Sequence, residues 1–114
     1  MAPPSKLAVA TGSVTRLVKE EASYHKELVQ QEERIKKLEA SEGDENKEYT
    51  LRQEKQALRE TQNVFPAIRQ RIEQAVEKLE AELDNAKEAG GDTEEIKKAE
   101  DAVAAGKKTI AEGS

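Results

Sequence analysis

Only a few side chains in this sequence are of the types that carry out catalysis. His25 is the single histidine, and the chain contains no cysteine. A histidine that works as a general base needs a nucleophile or a positioned partner beside it, and none is identifiable from the residues around His25. We therefore interpret His25 as a solvated or boundary residue on the flank of a helix.

Carboxylates are abundant, but their spacing does not suit joint chemistry. They occur as adjacent pairs at Glu20-Glu21, Glu32-Glu33 and Glu94-Glu95. Adjacent residues of a helix point about 100° apart, so the two members of a pair do not converge on one metal ion or one proton. Such pairs are typical of a solvated helix face.

A weak match to a calcium-binding loop begins at Asp44. Asn46 and Glu48 follow at alternate positions, as the ligands of such a loop do. The sixth position, however, is Tyr49 instead of glycine, and the twelfth is Lys55 instead of a bidentate acid. We predict that the protein binds no metal or cofactor. Because no catalytic constellation is present, we also predict that it is not an enzyme.

The composition limits the class of protein. The chain has 114 residues, which fits a single domain over 1–114, and its 24 acids and 19 bases give a net charge of −5. This acidity argues against nucleic acid as a partner, because phosphate binding needs clustered lysine and arginine. No apolar run approaches the length of a membrane span, and the first residues lack the apolar core of a signal peptide. We expect a cytoplasmic protein.

One long stretch organises the rest of the chain. Apolar residues recur at every seventh position through Leu51, Leu58, Phe65, Ile72, Leu79 and Ala86. This spacing predicts an amphipathic helix over about 47–89. Pro66 lies inside it, and we expect a kink there because proline removes a hydrogen bond. The seven-residue spacing continues past Pro66, which favours one kinked helix over two separate hairpins.

A first helix is predicted over about 7–40, after a frayed tail at residues 1–6. Its apolar residues keep a seven-residue spacing from Leu7 onward. Gly12 weakens the first turn and allows a start near Thr11 or Ser13 instead. Glu21 and Gln31 fall on the apolar stripe and interrupt it.

A third helix is predicted over about 93–111. Gly90-Gly91 is expected to end the second helix, because glycine tolerates the left-handed backbone of a helix stop. Asp92 is expected to cap the third helix. The turn before the second helix covers about 41–46, and either Asn46 or Thr50 is expected to cap that helix.

Together these patterns predict an all-α fold. Each apolar stripe is too thin to be stable alone, and short connections make consecutive helices antiparallel neighbours. We therefore expect an elongated up-down-up three-helix bundle with left-handed, coiled-coil-like packing. The third helix is short, so it covers only part of the second and leaves one end of the bundle with two helices.

Two surface features are candidate contacts for a protein partner. Val64 falls off the apolar stripe beside Phe65 and Pro66, and could form an exposed apolar knuckle of the kind that marks a partner site. Local repacking at the kink is the alternative. Arg16, Lys19 and Glu20 lie on the exposed side of the first helix, where a solvated charged face is the alternative.

The chain resembles the tubulin-binding cofactor A family of small tubulin-folding chaperones. The resemblance covers most of residues 7–110 and is strongest in the first helix. It rests on Thr11-Gly12-Ser13-Val14-Thr15-Arg16-Leu17-Val18-Lys19-Glu20, Tyr24, Lys26-Glu27, Gln31-Glu32-Glu33-Arg34-Ile35, Tyr49-Thr50-Leu51, Pro66 and Arg69-Gln70-Arg71-Ile72. The turn at Gly90-Gly91-Asp92 and the third helix match less closely.

The resemblance implies a three-helix bundle that captures β-tubulin released from the cytosolic chaperonin. A member of this family holds β-tubulin and passes it on for αβ-dimer assembly, without nucleotide or metal. It would meet other tubulin-folding cofactors indirectly, as a cytoplasmic, cytoskeleton-associated monomer or weak homodimer. The residues expected to contact the client are Arg16, Lys19, Glu20, Glu32, Val64, Phe65 and Pro66.

Two alternatives have no enzymatic component either. A generic helical-bundle scaffold or coiled-coil interaction module would show the same apolar stripes, but would be expected to self-associate strongly. A prefoldin-type chaperone subunit also presents long helices, but it needs β-hairpins between them, and no segment of the sequence shows strand alternation.

Overall fold

The computed structural model describes residues 3–113 and consists of three helices in this range. They are α1 (Lys6–Ala40), α2 (Lys47–Glu88) and α3 (Thr93–Glu112), with no strand among the described residues. The predicted all-α, three-helix architecture is confirmed. What was predicted for residues 1, 2 and 114 lies outside the described part of the chain. Within that part, no helix is long and apolar enough to cross a membrane.

Helix α1 begins at Lys6, before the starts near Thr11 or Ser13 that Gly12 allowed. Ser5 precedes the first helical residue, and its Oγ accepts a hydrogen bond from the backbone N–H of Ala8 at 3.0 Å. This is an N-terminal cap, which satisfies one of the N–H groups that a helix start leaves unpaired. The expected frayed tail is therefore wrong for Ser5 and Lys6, and Gly12 lies inside the helix.

The turn between α1 and α2 is held by side chains at both ends. Lys47 Nζ donates to the carbonyl oxygens of Ser41 at 2.6 Å and Glu39 at 3.2 Å. These carbonyls stand at the end of α1, where the helix itself supplies no donor. Asp44 Oδ1 accepts from the N–H of Asn46 at 2.9 Å. Helix α2 then starts at Lys47, so Asn46 and not Thr50 precedes it.

Pro66 does not divide α2. The helix runs from Lys47 to Glu88 with the proline inside it. The chain therefore does not reverse at this position, and the alternative of two separate hairpins is wrong. The kink remains a prediction from the missing hydrogen bond, since proline has no N–H to offer the carbonyl of Gln62.

Gly90 makes the stop between α2 and α3. Its φ of 69° lies in the left-handed region, and Gly91 N–H and Gly90 N–H donate to the carbonyls of Ala86 at 2.8 Å and Lys87 at 3.2 Å. This pair of bonds is the Schellman motif. Asp92 occupies the capping position of α3, but its side chain makes no capping hydrogen bond, contrary to expectation.

The helices form two compact units. The first takes in the chain up to Glu20 and from Ile68 onward, and the second is Glu21–Ala67. The first unit contains parts of α1 and α2 together with all of α3. Its fully buried side chains include Val14, Ile72 and Leu79.

Small residues of α3 bring it close to the core of this first unit. Ala99, Ala102 and Gly106 are all buried. A Cβ added at Gly106 would lie 2.5 Å from Val76 Cγ2 and 3.3 Å from Val14 Cγ1. Glycine is required here because the backbone of α3 stands almost in contact with two branched side chains of its neighbours.

The second unit contains only α1 and α2, and its interior is partly polar. Ile35 and Phe65 are buried, but so are Glu21, Gln31 and Thr61. Ion pairs between Arg34 and Glu54 and between Lys55 and Glu39 lie at its surface. A hairpin with three polar residues in its interior buries little apolar area, so its stability depends on how well those residues are paired.

Two glycines of α1 and α3 provide a matched test of this packing. We expect Gly106→Ala to lower the free energy of unfolding by about 1 kcal/mol, because overpacking outweighs the gain in helix propensity. Gly12→Ala should raise it by up to about 1 kcal/mol, since a Cβ there has nothing within 4 Å. Urea unfolding followed by circular dichroism measures both, and the same sign of change in the two variants would contradict the packing described.

Gln31 provides a second test. Its Oε1 is buried and has no hydrogen-bond partner among the described residues. We expect Gln31→Leu to raise the free energy of unfolding by about 1 kcal/mol, because the change removes an unsatisfied polar atom from an apolar stripe. Gln30→Leu, at the exposed neighbouring position, is the control and should change stability little. Destabilisation by Gln31→Leu would mean that the amide is well paired.

Candidate protein-binding site

A groove runs between the first half of α1 and the first two turns of α3, within the first unit. We call it the α1/α3 groove. It encloses a volume of about 650 Å³. Its lining residues are Ala8, Thr11, Gly12, Thr15, Arg16, Lys19, Glu95 and Lys98. The groove brings together two of the residues predicted to contact a partner, Arg16 and Lys19.

Short side chains at helical spacing create the groove. Ala8 and Gly12 are one turn apart on α1, as are Thr11 and Thr15, so each pair lies on one side of the helix. A Cβ added at Gly12 would have nothing within 4 Å. The floor is therefore open space bounded by backbone, methyl groups and hydroxyls, and longer side chains stand only at its edges.

The edges of the groove carry positive charge, although the chain as a whole is acidic. Arg16 and Lys19 from α1 face Lys98 from α3, against a single carboxylate, Glu95. That carboxylate accepts a hydrogen bond from Ser5 Oγ, which also ties the start of α3 to the start of α1. Since three cations stand against one engaged anion, the electrostatic potential of the groove is positive and complements negative charge.

The other predicted polar contacts lie outside this groove. Glu20 follows Lys19 on α1 and is half-buried, and it does not line the groove. Glu32 is exposed on the part of α1 that belongs to the second unit.

The expected apolar knuckle at 64–66 is only partly at the surface. Phe65 is 5% exposed and therefore belongs to the core of the second unit. Val64 is half-buried, and only Pro66 is exposed. Phe65 is turned inward, as its place on the seven-residue stripe predicts, and the partner contacts expected at 64–66 stay a prediction.

His25 covers the ring of Phe65. The two ring centroids are 4.4 Å apart, with 28° between the planes. His25 Nε2 also contacts Glu21 Oε1, one turn earlier on α1. The histidine side chain is 51% exposed and that of Glu21 only 6%. His25 is thus the boundary residue that was expected, and it pairs with the carboxylate that interrupts the apolar stripe.

Some residues of the α1/α3 groove were not found from the sequence. The spacing of Ala8 with Gly12 and of Thr11 with Thr15 was a usable signal for a small-residue face on α1. Lys98 was not predictable in this way, because its position opposite Arg16 depends on how α3 is rotated against α1.

The potential metal-ligating side chains of the described residues do not cluster. Among residues 3–113 there is no group of three or more His, Asp or Glu side chains placed to hold a metal ion. The α1/α3 groove combines cations and hydroxyls with an open floor, and polar, solvent-accessible side chains of this kind are typical of the rim of a protein interface.

Comparison with known proteins identifies the family. The sequence profile of the family described as Tubulin binding cofactor A matches residues 2–103. The chain belongs to this family. The resemblance seen in the sequence is therefore confirmed.

Relatives of the tubulin binding cofactor A family align over most of this chain. The human protein named Tubulin-specific chaperone A is 37% identical over 94 residues, which is 82% of this chain and 83% of the human one. The mouse and chicken proteins of the same name are 36% identical over the same shares. No solved structure matches the chain significantly. These relatives are named as chaperones, and the family is not one of enzymes.

The contacts of His25 lead to a prediction about the second unit. We expect His25→Ala to lower the free energy of unfolding by about 1 kcal/mol or more, because it uncovers Phe65 and leaves the buried carboxylate of Glu21 unpaired. His25→Gln keeps a donor for Glu21 and should recover part of the loss. Chemical denaturation at neutral pH measures the three proteins, and equal midpoints would show that neither contact stabilises the fold.

Proposed function

We propose that this protein is a tubulin-folding chaperone that captures β-tubulin released from the cytosolic chaperonin and passes it on for αβ-dimer assembly. Membership of the tubulin binding cofactor A family carries the proposal, through relatives named Tubulin-specific chaperone A that align over 82% of the chain. The protein acts by non-covalent surface binding, without nucleotide or metal.

The α1/α3 groove is the proposed centre of this binding. Its cations, Arg16, Lys19 and Lys98, suit an acidic segment of the client, whose backbone can approach closely over Gly12. Charges of opposite sign across an interface raise the rate of encounter and fix the orientation of the partners. A chaperone that must later release its client is well served by contacts of this kind.

Further client contacts are proposed at Glu20, Glu32, Val64 and Pro66. Glu32 and Pro66 are exposed, and Glu20 and Val64 are half-buried. Phe65 lies between Val64 and Pro66 in the chain and is buried, so we expect it to affect the client only through these two neighbours.

The proposed setting is the cytoplasm, in association with the cytoskeleton. The protein would be a monomer or weak homodimer that meets the other tubulin-folding cofactors indirectly, through the client. A generic helical scaffold, in contrast, would self-associate firmly and show no preference for tubulin. Sedimentation equilibrium of the purified chain separates these two descriptions.

The experiment that tests the proposal is capture of newly folded tubulin. β-Tubulin and, separately, α-tubulin are synthesised in a cytosolic translation extract, incubated with the tagged protein, and recovered on the tag. We expect recovery of β-tubulin well above α-tubulin. Equal recovery of both, or of neither, would falsify the proposed function.

Charge reversal then tests the location of the site. We expect Arg16→Glu/Lys19→Glu to reduce β-tubulin capture about tenfold, because two attractive rim charges become repulsive. Lys97→Glu/Lys108→Glu makes the same change of net charge at exposed positions of α3 outside the groove and should leave capture unchanged. Circular dichroism confirms helicity in both. Undiminished capture by the first variant would remove the α1/α3 groove from the interface.

A further inference from the structure

A second groove lies between α1 and α2, also within the first unit. We call it the α1/α2 groove. It encloses about 690 Å³, and none of its lining residues is shared with the α1/α3 groove. Its apolar lining includes Val9, Leu17 and Ala75. Val9 is 55% exposed, which makes it one of the most exposed large apolar side chains of the described chain.

The size and the lining of the α1/α2 groove are suitable for binding one additional helix. Lys6 and Leu17 mark its extent along α1, and at about 1.5 Å per residue they are roughly 17 Å apart, or three helical turns. Ser13 and Ala75 are small and lie in the middle of the lining, so a helix backbone can approach closely. An amphipathic helix laid between two packed helices buries its apolar face against both.

Charge decides which kind of helix fits. Three cations line the groove, Lys6, Arg71 and Lys78, against one carboxylate, Glu82. All three cations are exposed, and none of them forms an ion pair with another residue of 3–113. They form a basic border on a chain whose net charge is −5. Such a border favours acidic side chains on the incoming helix and disfavours basic ones.

We propose that the α1/α2 groove is a second docking site, which binds a partner's amphipathic helix whose apolar stripe is flanked by aspartate or glutamate. The helix lies between α1 and α2, with its apolar side chains over Val9, Leu17 and Ala75. Its carboxylates pair with Arg71 and Lys78 on one edge and with Lys6 at one end. The site is independent of the proposed tubulin-binding groove and leaves that groove open.

A designed peptide tests the proposal. The probe is a fluorescein-labelled helical peptide of about 18 residues with a leucine and alanine stripe flanked by glutamates. Its matched control carries lysine in place of every glutamate. Fluorescence anisotropy with the full chain should show binding of the glutamate peptide and at least about tenfold weaker binding of the lysine peptide.

Variants then locate the peptide. Arg71→Glu/Lys78→Glu should reverse the preference, so that the lysine peptide binds better than the glutamate peptide, which a merely unfolded variant does not do. Val9→Asp removes an exposed apolar contact without opening the core and should weaken the glutamate peptide severalfold. Arg16→Glu/Lys19→Glu should bind it as the unaltered chain does, whatever becomes of tubulin capture.

Three results would overturn the proposal. The first is equal binding of the two peptides. The second is an unchanged preference in Arg71→Glu/Lys78→Glu, which places the peptide elsewhere. The third is a stable homodimer in sedimentation that Arg71→Glu/Lys78→Glu dissociates, which makes a second copy of this chain the occupant of the groove.

Discussion

The contact of α3 with α1 and α2 around Gly106 is the constraint on which the first unit depends. The chain has few large apolar residues, and α3 contributes alanines and a glycine to the interior in place of larger side chains. A helix with so little apolar volume gains stability only if its backbone comes within van der Waals reach of branched side chains on its neighbours. Val14, Ile72 and Val76 supply these side chains. Small residues also have a second effect. Where no helix packs over them they leave space at the surface, and the α1/α3 and α1/α2 grooves lie at two such places.

The two units solve the problem of burial differently. In the first, three helices enclose Val14, Ile72 and Leu79 completely. In the second, only two helices are available to bury the apolar side chains. The ring of Phe65 stacks against the ring of His25, and His25 also contacts the carboxylate of Glu21. Polar residues in a thin hairpin cost stability, yet they also fix which residues face each other. The single histidine of the chain thus has a structural role. This role is consistent with a family of chaperones, in which no catalytic histidine is needed.

The helices and most of the buried residues could be predicted from the sequence, and the predictions that were wrong have physical causes. The seven-residue spacing through Leu58, Phe65 and Ile72 predicted α2 because burial of a stripe imposes that period. Helix α1 starts one residue before the predicted position, and the alternative starts near Thr11 or Ser13 are wrong. The low helix propensity of Gly12 is outweighed by the cap that Ser5 provides for Ala8 and by the hydrogen bond of Ser5 to Glu95. The prediction that Arg16, Lys19 and Glu20 lie on the exposed side of α1 is confirmed for Arg16 and Lys19, whereas Glu20 is half-buried. The position of Lys98 near Arg16 and Lys19 could not be predicted from the sequence. The rotation of one helix against another is set by packing between them, which no local sequence pattern encodes.

The Schellman turn at Gly90 has a consequence for the order in which the molecule assembles. It sets α2 and α3 side by side, and the ion pairs of Lys87 with Glu100 and of Glu80 with Lys107 join residues that are near in the chain. The hydrogen bond of Ser5 to Glu95 joins residues 90 positions apart. Closing the longer loop costs about 1.7 kcal/mol more chain entropy than closing the loop from 87 to 100. On loop length alone, we therefore expect α3 to pack on α2 before the start of α1 packs on α3.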